Sequence, residues 1–99
     1  MNIKHTKDND KLVVAIEGSI DTNTAPTLFG FFERELKDVS DLTLDFAKVD
    51  YVSSAGLRAI LFAQKTMAVQ GKMVVKHVNE DVMEVFRLTC FTDILTFVE

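Results

Sequence analysis

Two adjacent serines, Ser53 and Ser54, carry the most specific chemistry that this chain suggests. They lie in the stretch Val52-Ser53-Ser54-Ala55-Gly56-Leu57, where an apolar strand pattern gives way to an apolar helix pattern. A helix begins with backbone N–H groups that lack intrahelical partners, and with the positive end of the helix dipole. A hydroxyl placed there is exposed and oriented, and the position tolerates a phosphate. The sequence therefore predicts a phosphate-accepting hydroxyl at this junction.

The same serines do not fit a nucleophilic enzyme. A hydrolase elbow requires Gly-x-Ser-x-Gly, and Val52 stands where the first glycine is needed. No histidine is close in sequence, so His77 would have to approach through space. Gly71-Lys72 lacks the rest of a phosphate-binding P-loop. We predict no catalytic residue and no enzymatic activity.

Composition excludes several other classes of protein. The formal net charge is −4, and the 11 basic residues are scattered among 15 acidic ones, which argues against a nucleic-acid partner. His5 and His77 have no second ligand at metal-binding spacing, so we predict no metal site and no cofactor. The longest apolar runs, 12–16 and 59–63, are far shorter than the roughly 20 residues of a membrane span. Without an apolar signal core at its start, the chain is expected in the cytoplasm.

The elements that must position the serines follow from apolar spacing. A chain of 99 residues with 47% hydrophobic residues predicts one domain, 1–99. Strands are predicted at 3–7, 11–17, 42–46, 72–78 and 95–98, and helices at 24–38, 54–70 and 80–90. This ββαβαβαβ order predicts an α/β domain with an N-terminal β-hairpin and right-handed crossovers between parallel strands. Loops at the strand ends then bring residues 18–21 beside residues 50–54.

Three residues at helix ends carry local predictions. Asn79 is expected to cap the last helix, and Gly71 to end the preceding one in the left-handed conformation. The single cysteine, Cys90, is expected to be a small buried residue of the last helix.

The element order, the Gly18-Ser19-Ile20-Asp21 turn and the run Val49 to Arg58 before an apolar helix resemble the STAS domain, the fold of bacterial anti-sigma factor antagonists. The resemblance extends from about Lys4 to Val98. It implies a mixed β-sheet with helices mainly on one face. It also implies partner switching: the unphosphorylated protein binds an anti-sigma factor that is also a serine kinase, the kinase phosphorylates it, and a PP2C-type phosphatase reverses the modification.

The resemblance also implies the site residues. The family motif is Asp-Ser-Ser/Thr-Gly-Leu, and alignment on Gly56 and Leu57 puts Ser54 at the phosphorylated position, with Ser53 as second choice. Asp21 is then expected to hydrogen-bond the serine hydroxyl, and Arg58 to approach the phosphate. The predicted partner-binding set is Asp21, Ser53, Ser54, Gly56, Leu57 and Arg58.

Two departures from the family pattern stand out. Ser53 replaces the motif's aspartate, which removes a carboxylate beside the acceptor and adds a second hydroxyl. The family's fourth helix is expected to be absent or very short. Two alternatives remain open: Ser54 as a plain helix cap, and a STAS adaptor without a phosphate cycle. Such an adaptor would dock on a transporter ATPase or a stress-signalling complex through helix 54–70.

Overall fold

The computed structural model describes residues 1–98, and its elements follow the predicted order. Three α-helices, one 3-10 helix and five strands are present in these residues. They are β1 Asn2–Asp8, β2 Lys11–Ile20, α1 Ala25–Glu35, β3 Asp41–Val52, α2 Ser54–Gln70, β4 Lys72–Lys76, α3 Glu80–Leu88, the 3-10 helix Phe91–Asp93 and β5 Phe97–Val98.

The five strands form one mixed sheet in the order β1-β2-β3-β4-β5. The β1–β2 hairpin is antiparallel, and every other pair is parallel. Because strand side chains alternate between faces, Leu12 and Leu42 are fully buried on one face, whereas Val13 on the other is 42% exposed. Phe46 meets Phe86 of α3 on the buried face, with ring centroids 6.1 Å apart. The predicted sheet with helices mainly on one face is confirmed.

Strand β3 is longer than predicted, and its extension builds the junction with α2. Residues 48–52 pair with the end of β2, where Ser19 lies opposite Tyr51 and Ile20 opposite Val52. The pairing register shifts on either side of residues 17–18, and Gly18 has a φ of 97°. Such irregularities break the alternation of apolar and polar residues that predicts a strand. The predicted loop at 50–52 is therefore strand.

Two local predictions are wrong for physical reasons. Gly71 has a φ of 170°, which is extended rather than left-handed. A Cβ at this position would lie 1.9 Å from the Ser40 carbonyl oxygen, so the glycine permits close backbone approach. Cys90 is exposed because α3 ends at Leu88, before the cysteine. The cap prediction is confirmed, since Asn79 Oδ1 accepts a hydrogen bond from Val82 N at 2.8 Å.

Candidate functional site

The two serines occupy different positions at the start of α2. Ser53 is the N-cap, with extended backbone angles, and its hydroxyl accepts a hydrogen bond from Gly56 N at 3.2 Å. Its carbonyl oxygen accepts the first helical bond, from Leu57 N at 2.9 Å. Its own N–H donates to Ile20 O at 2.8 Å, which ties the junction to the end of β2. Ser53 is thus the capping residue, and its hydroxyl is engaged.

Ser54 is the first residue of α2 and is exposed. Within residues 1–98 its hydroxyl makes no hydrogen bond to the protein. The alternative of a plain capping role therefore applies to Ser53 and not to Ser54. The N–H groups and the dipole at this end of α2 favour negative charge, so the exposed hydroxyl is in a position that accepts an anion.

Gly56 and Leu57 of the predicted partner-binding set lie beneath the surface. A Cβ on Gly56 would lie 2.6 Å from Ile20 O and 3.1 Å from Val52 Cγ1, so only glycine lets α2 start directly against the ends of β2 and β3. Leu57 is 8% exposed and belongs to the hydrophobic core. Their part in partner binding stays a prediction. Because both residues are buried, that part would be to position the exposed residues beside them.

Asp21 is engaged within its own turn. Its Oδ1 accepts hydrogen bonds from Asn23 N at 2.9 Å and from Thr24 N at 3.0 Å. The Thr24 N–H, and then the Asn23 N–H and Thr24 hydroxyl, hold the pKa of Asp21 below its ordinary value against the opposing effect of burial. The structure shows no hydrogen bond from Asp21 to either serine among residues 1–98, so the expected orienting bond is not made. Asp21 shapes the turn between β2 and α1.

Arg58 lies one turn after Ser54 and is exposed. Among residues 1–98 it forms no ion pair. It lines a groove of about 460 Å³ between the first turns of α1 and α2. The other lining residues are small or apolar: Thr22, Ala25, Pro26, Phe29, Ala55 and Ala59. The groove combines an apolar floor with one cation at its edge, next to Ser54.

Sequence reasoning missed two surface features at the same end of the sheet. The Ser19 hydroxyl donates to Asp50 Oδ1 at 2.8 Å, and the Tyr51 side chain is 53% exposed. Both arise from the irregular pairing of β2 with β3. In the sequence, the available signal was the pair Asp50 and Tyr51 between the aliphatic residues Val49 and Val52. The predicted proximity of residues 18–21 to residues 50–54 is confirmed by these contacts.

His77 and Asp45, the side chains that could support acid–base chemistry, pair with each other and not with the two serines. His77 Nδ1 is 3.0 Å from Asp45 Oδ1, in an exposed pair on the sheet. Burial raises the pKa of Asp45, but the Ala47 N–H, the His77 side chain and Lys76 together bring it below its ordinary value.

Residues 1–98 hold no cluster of three metal-ligating side chains. None of the helices in this part of the chain has both the length and the apolar character needed to cross a bilayer.

Comparison with known proteins assigns the family. The STAS domain family model matches residues 1–99, so the chain belongs to the STAS domain family. It is homologous to the "Putative anti-sigma factor antagonist BtrV" of Bordetella bronchiseptica, with 30% identity over 96 residues, covering 95% of this chain and 83% of that protein.

Solved structures show the same fold. An anti-sigma factor antagonist from Mycobacterium paratuberculosis matches with a TM-score of 0.84 and 20% identity, over 97% of this chain and 83% of that one. The Bacillus cell fate determinant SpoIIAA in its phosphorylated form matches with a TM-score of 0.75 and 13% identity, over 99% and 92%. At these identities the likeness concerns the fold alone.

Proposed function

We propose that this protein is a cytoplasmic anti-sigma factor antagonist that acts by partner switching, with Ser54 as its phosphorylation site. The observation that carries the proposal is the exposed Ser54 hydroxyl, free of protein hydrogen bonds within residues 1–98, at the first position of α2. Homology to a protein named as an anti-sigma factor antagonist and the fold shared with phosphorylated SpoIIAA support it.

The proposed cycle has two covalent steps. A serine kinase, which is also the anti-sigma factor, transfers the γ-phosphoryl group of ATP to Ser54 Oγ. A new O–P bond forms, the bond from the γ-phosphorus to ADP breaks, and the hydroxyl proton leaves to a base of the kinase. A PP2C-type phosphatase then uses water to cleave the phosphoserine, which restores the hydroxyl and releases inorganic phosphate.

Phosphorylation is expected to alter binding and to preserve the fold. It adds about −1.5 to −2 charges, and the helix dipole favours such charge at this position by about 0.3–1 kcal/mol. The capping hydroxyl belongs to Ser53, so a phosphate on Ser54 displaces no existing bond. At the centre of an interface the same charge against an acidic group costs several kcal/mol, and each 1.4 kcal/mol is about tenfold in affinity.

The test is phosphate transfer from ATP by candidate serine kinases of the source organism, followed by mass-spectrometric mapping of the site. Wild type and Ser53→Ala are expected to incorporate one phosphate, and Ser54→Ala none. Ser53→Ala is the matched control because it removes the neighbouring hydroxyl and leaves the proposed acceptor.

Incorporation that survives Ser54→Ala would overturn the assignment of the acceptor. No incorporation by any of these kinases, and no phosphate on the protein isolated from cells, would favour the adaptor alternative instead.

A further inference from the structure

The groove between the first turns of α1 and α2 is an apolar surface with one charge beside it. Phe29 forms one wall and is held by Phe62 of α2, with ring centroids 4.4 Å apart. Ala55 and Ala59 provide a flat floor on the side of α2. The space, about 460 Å³, is large enough for one or two apolar side chains of a partner.

Arg58 gives the groove its polarity. It is the only ionisable residue among those that line the groove, and no acidic side chain within residues 1–98 pairs with it. The edge of the groove is therefore positive, although the whole chain has a formal net charge of −4. A carboxylate is the partner group that complements a guanidinium, because it accepts two parallel hydrogen bonds.

We propose that the groove receives an acidic, apolar segment of the anti-sigma factor kinase, with an apolar side chain against Phe29 and a carboxylate paired with Arg58. The inference rests on the proposed function and adds the chemistry of the contact. The groove adjoins Ser54, so one docked segment covers both the groove and the acceptor serine.

The position of Arg58 also links this contact to phosphorylation. Ser54 and Arg58 are four residues apart on α2, so their side chains lie one above the other on one helix face. A phosphate on Ser54 competes with the partner's carboxylate for the same guanidinium. Phosphorylation then removes the cation from the docking surface while adding negative charge beside it.

The docking test is the affinity of the kinase that labels Ser54, measured by isothermal titration calorimetry with the unphosphorylated protein. Arg58→Glu reverses the charge, and Thr22→Trp fills the groove; each is expected to weaken binding about 10-fold or more. The matched controls are Lys65→Glu on the same helix and Thr27→Trp on α1, both exposed and outside the groove. The controls are expected to bind within about twofold of wild type.

A second measurement tests the link to phosphorylation without the partner. Phosphorus NMR titration of protein phosphorylated on Ser54 gives the second pKa of the phosphate, which is about 6 in a free phosphoserine. The pKa of this phosphate is expected to be higher in Arg58→Gln than in wild type, and unchanged in Lys65→Gln.

The outcomes distinguish a failure of the docking inference from a failure of the proposed function. Tight binding by wild type and equally tight binding by Arg58→Glu and Thr22→Trp would overturn the docking inference and leave the proposed function standing. A phosphate pKa that is the same in Arg58→Gln as in wild type would overturn the proposed competition between the phosphate and the partner's carboxylate for Arg58. If wild type neither bound any of the kinases nor accepted phosphate from them, the proposed function would fail, and the docking inference would fail with it.

Discussion

Ser53 and Ser54 have the same side chain, but the backbone gives them different roles. Ser53 precedes the helix with extended angles and turns its hydroxyl onto Gly56 N. Ser54 already has helical geometry, and its side chain faces solvent. One serine therefore contributes to stability and the other to the proposed chemistry. The two contributions are separable by mutation.

Replacing Ser53 with alanine is expected to destabilise the protein. The variant loses the capping hydrogen bond to Gly56 N, which costs about 1 kcal/mol in typical helices. For a domain of this size that lowers the melting temperature by about 4–8 °C. Ser54→Ala removes no capping bond, so its melting temperature should equal that of wild type in the same circular-dichroism experiment. Equal loss in both variants would contradict the assignment of the cap.

Asp21 makes the stability of the turn depend on pH. Its hydrogen bonds to Thr24 and Asn23 hold its pKa below the ordinary value of 3.8. The carboxylate therefore stabilises the folded state above that value, and the stabilisation is lost as pH falls through the folded pKa. In Asp21→Asn the amide oxygen is a weaker acceptor than a carboxylate.

Denaturant unfolding of wild type and Asp21→Asn across acid pH measures this effect. Wild type is expected to be the more stable at neutral pH, and the difference should shrink below about pH 4 as the carboxylate takes up its proton. A difference that stays constant down to strongly acid pH would show that the carboxylate charge is not responsible.

At the scale of elements, the start of α2 is fixed by its close approach to the ends of β2 and β3. Gly56 allows this approach, and the Ser53 N–H bond to Ile20 O holds it. Extra residues in β3 shift its register against β2 twice, and Ile20 then lies opposite Val52, just before α2 begins. The proposed acceptor, Ser54, is thus presented by three packed elements and not by a free loop.

Gly56→Ala is expected to destabilise the domain by about 1–3 kcal/mol, the usual cost of overpacking. Its Cβ would stand 2.6 Å from the Ile20 carbonyl oxygen, a backbone atom that cannot easily move. Gly30→Ala on α1 is the matched control, because its Cβ would meet only the end of the Arg34 side chain at 3.4 Å. Alanine there should stabilise the helix by about 0.5–1 kcal/mol.

Urea denaturation of Gly56→Ala and Gly30→Ala measures the free energy of unfolding, which is expected to fall in the first variant and rise in the second. A Gly56→Ala protein as stable as wild type would contradict the packing described for the start of α2.

Sequence patterns predicted the order of elements and the bounds of α2, because long amphipathic helices and alternating strands have strong periodic signals. They missed the end of β3, where register shifts interrupt the alternation at Asp50 and Tyr51. They also left open which serine is the cap, because serine suits the cap position at either residue and only the backbone angles decide between them. The groove beside Arg58 was beyond reach, because it depends on how two helices pack.

At the scale of the whole molecule, the proposed cycle requires one fold to exist in two charge states. The core lies on one side of the sheet, and Ser54 is at the surface, outside it. The helix start accepts negative charge, so neither state of the proposed cycle requires the core to change. The switch is therefore expected to act through the surface that a partner meets.

Charge at position 54 is expected to change stability only slightly, and with a definite sign. Ser54→Asp should raise the free energy of unfolding, and Ser54→Lys lower it, by about 0.3–1 kcal/mol each at low ionic strength. Thermal unfolding followed by circular dichroism measures both, and the difference should shrink in concentrated salt. A loss of cooperative unfolding in Ser54→Asp would contradict the account of a surface switch.

The most direct test of the central claim is the affinity of the anti-sigma factor kinase for this protein before and after phosphorylation of Ser54. The account predicts tight binding of the unphosphorylated form and binding weaker by about 100-fold or more after phosphorylation, with circular-dichroism spectra that superimpose. Equal affinity of the two forms would contradict it.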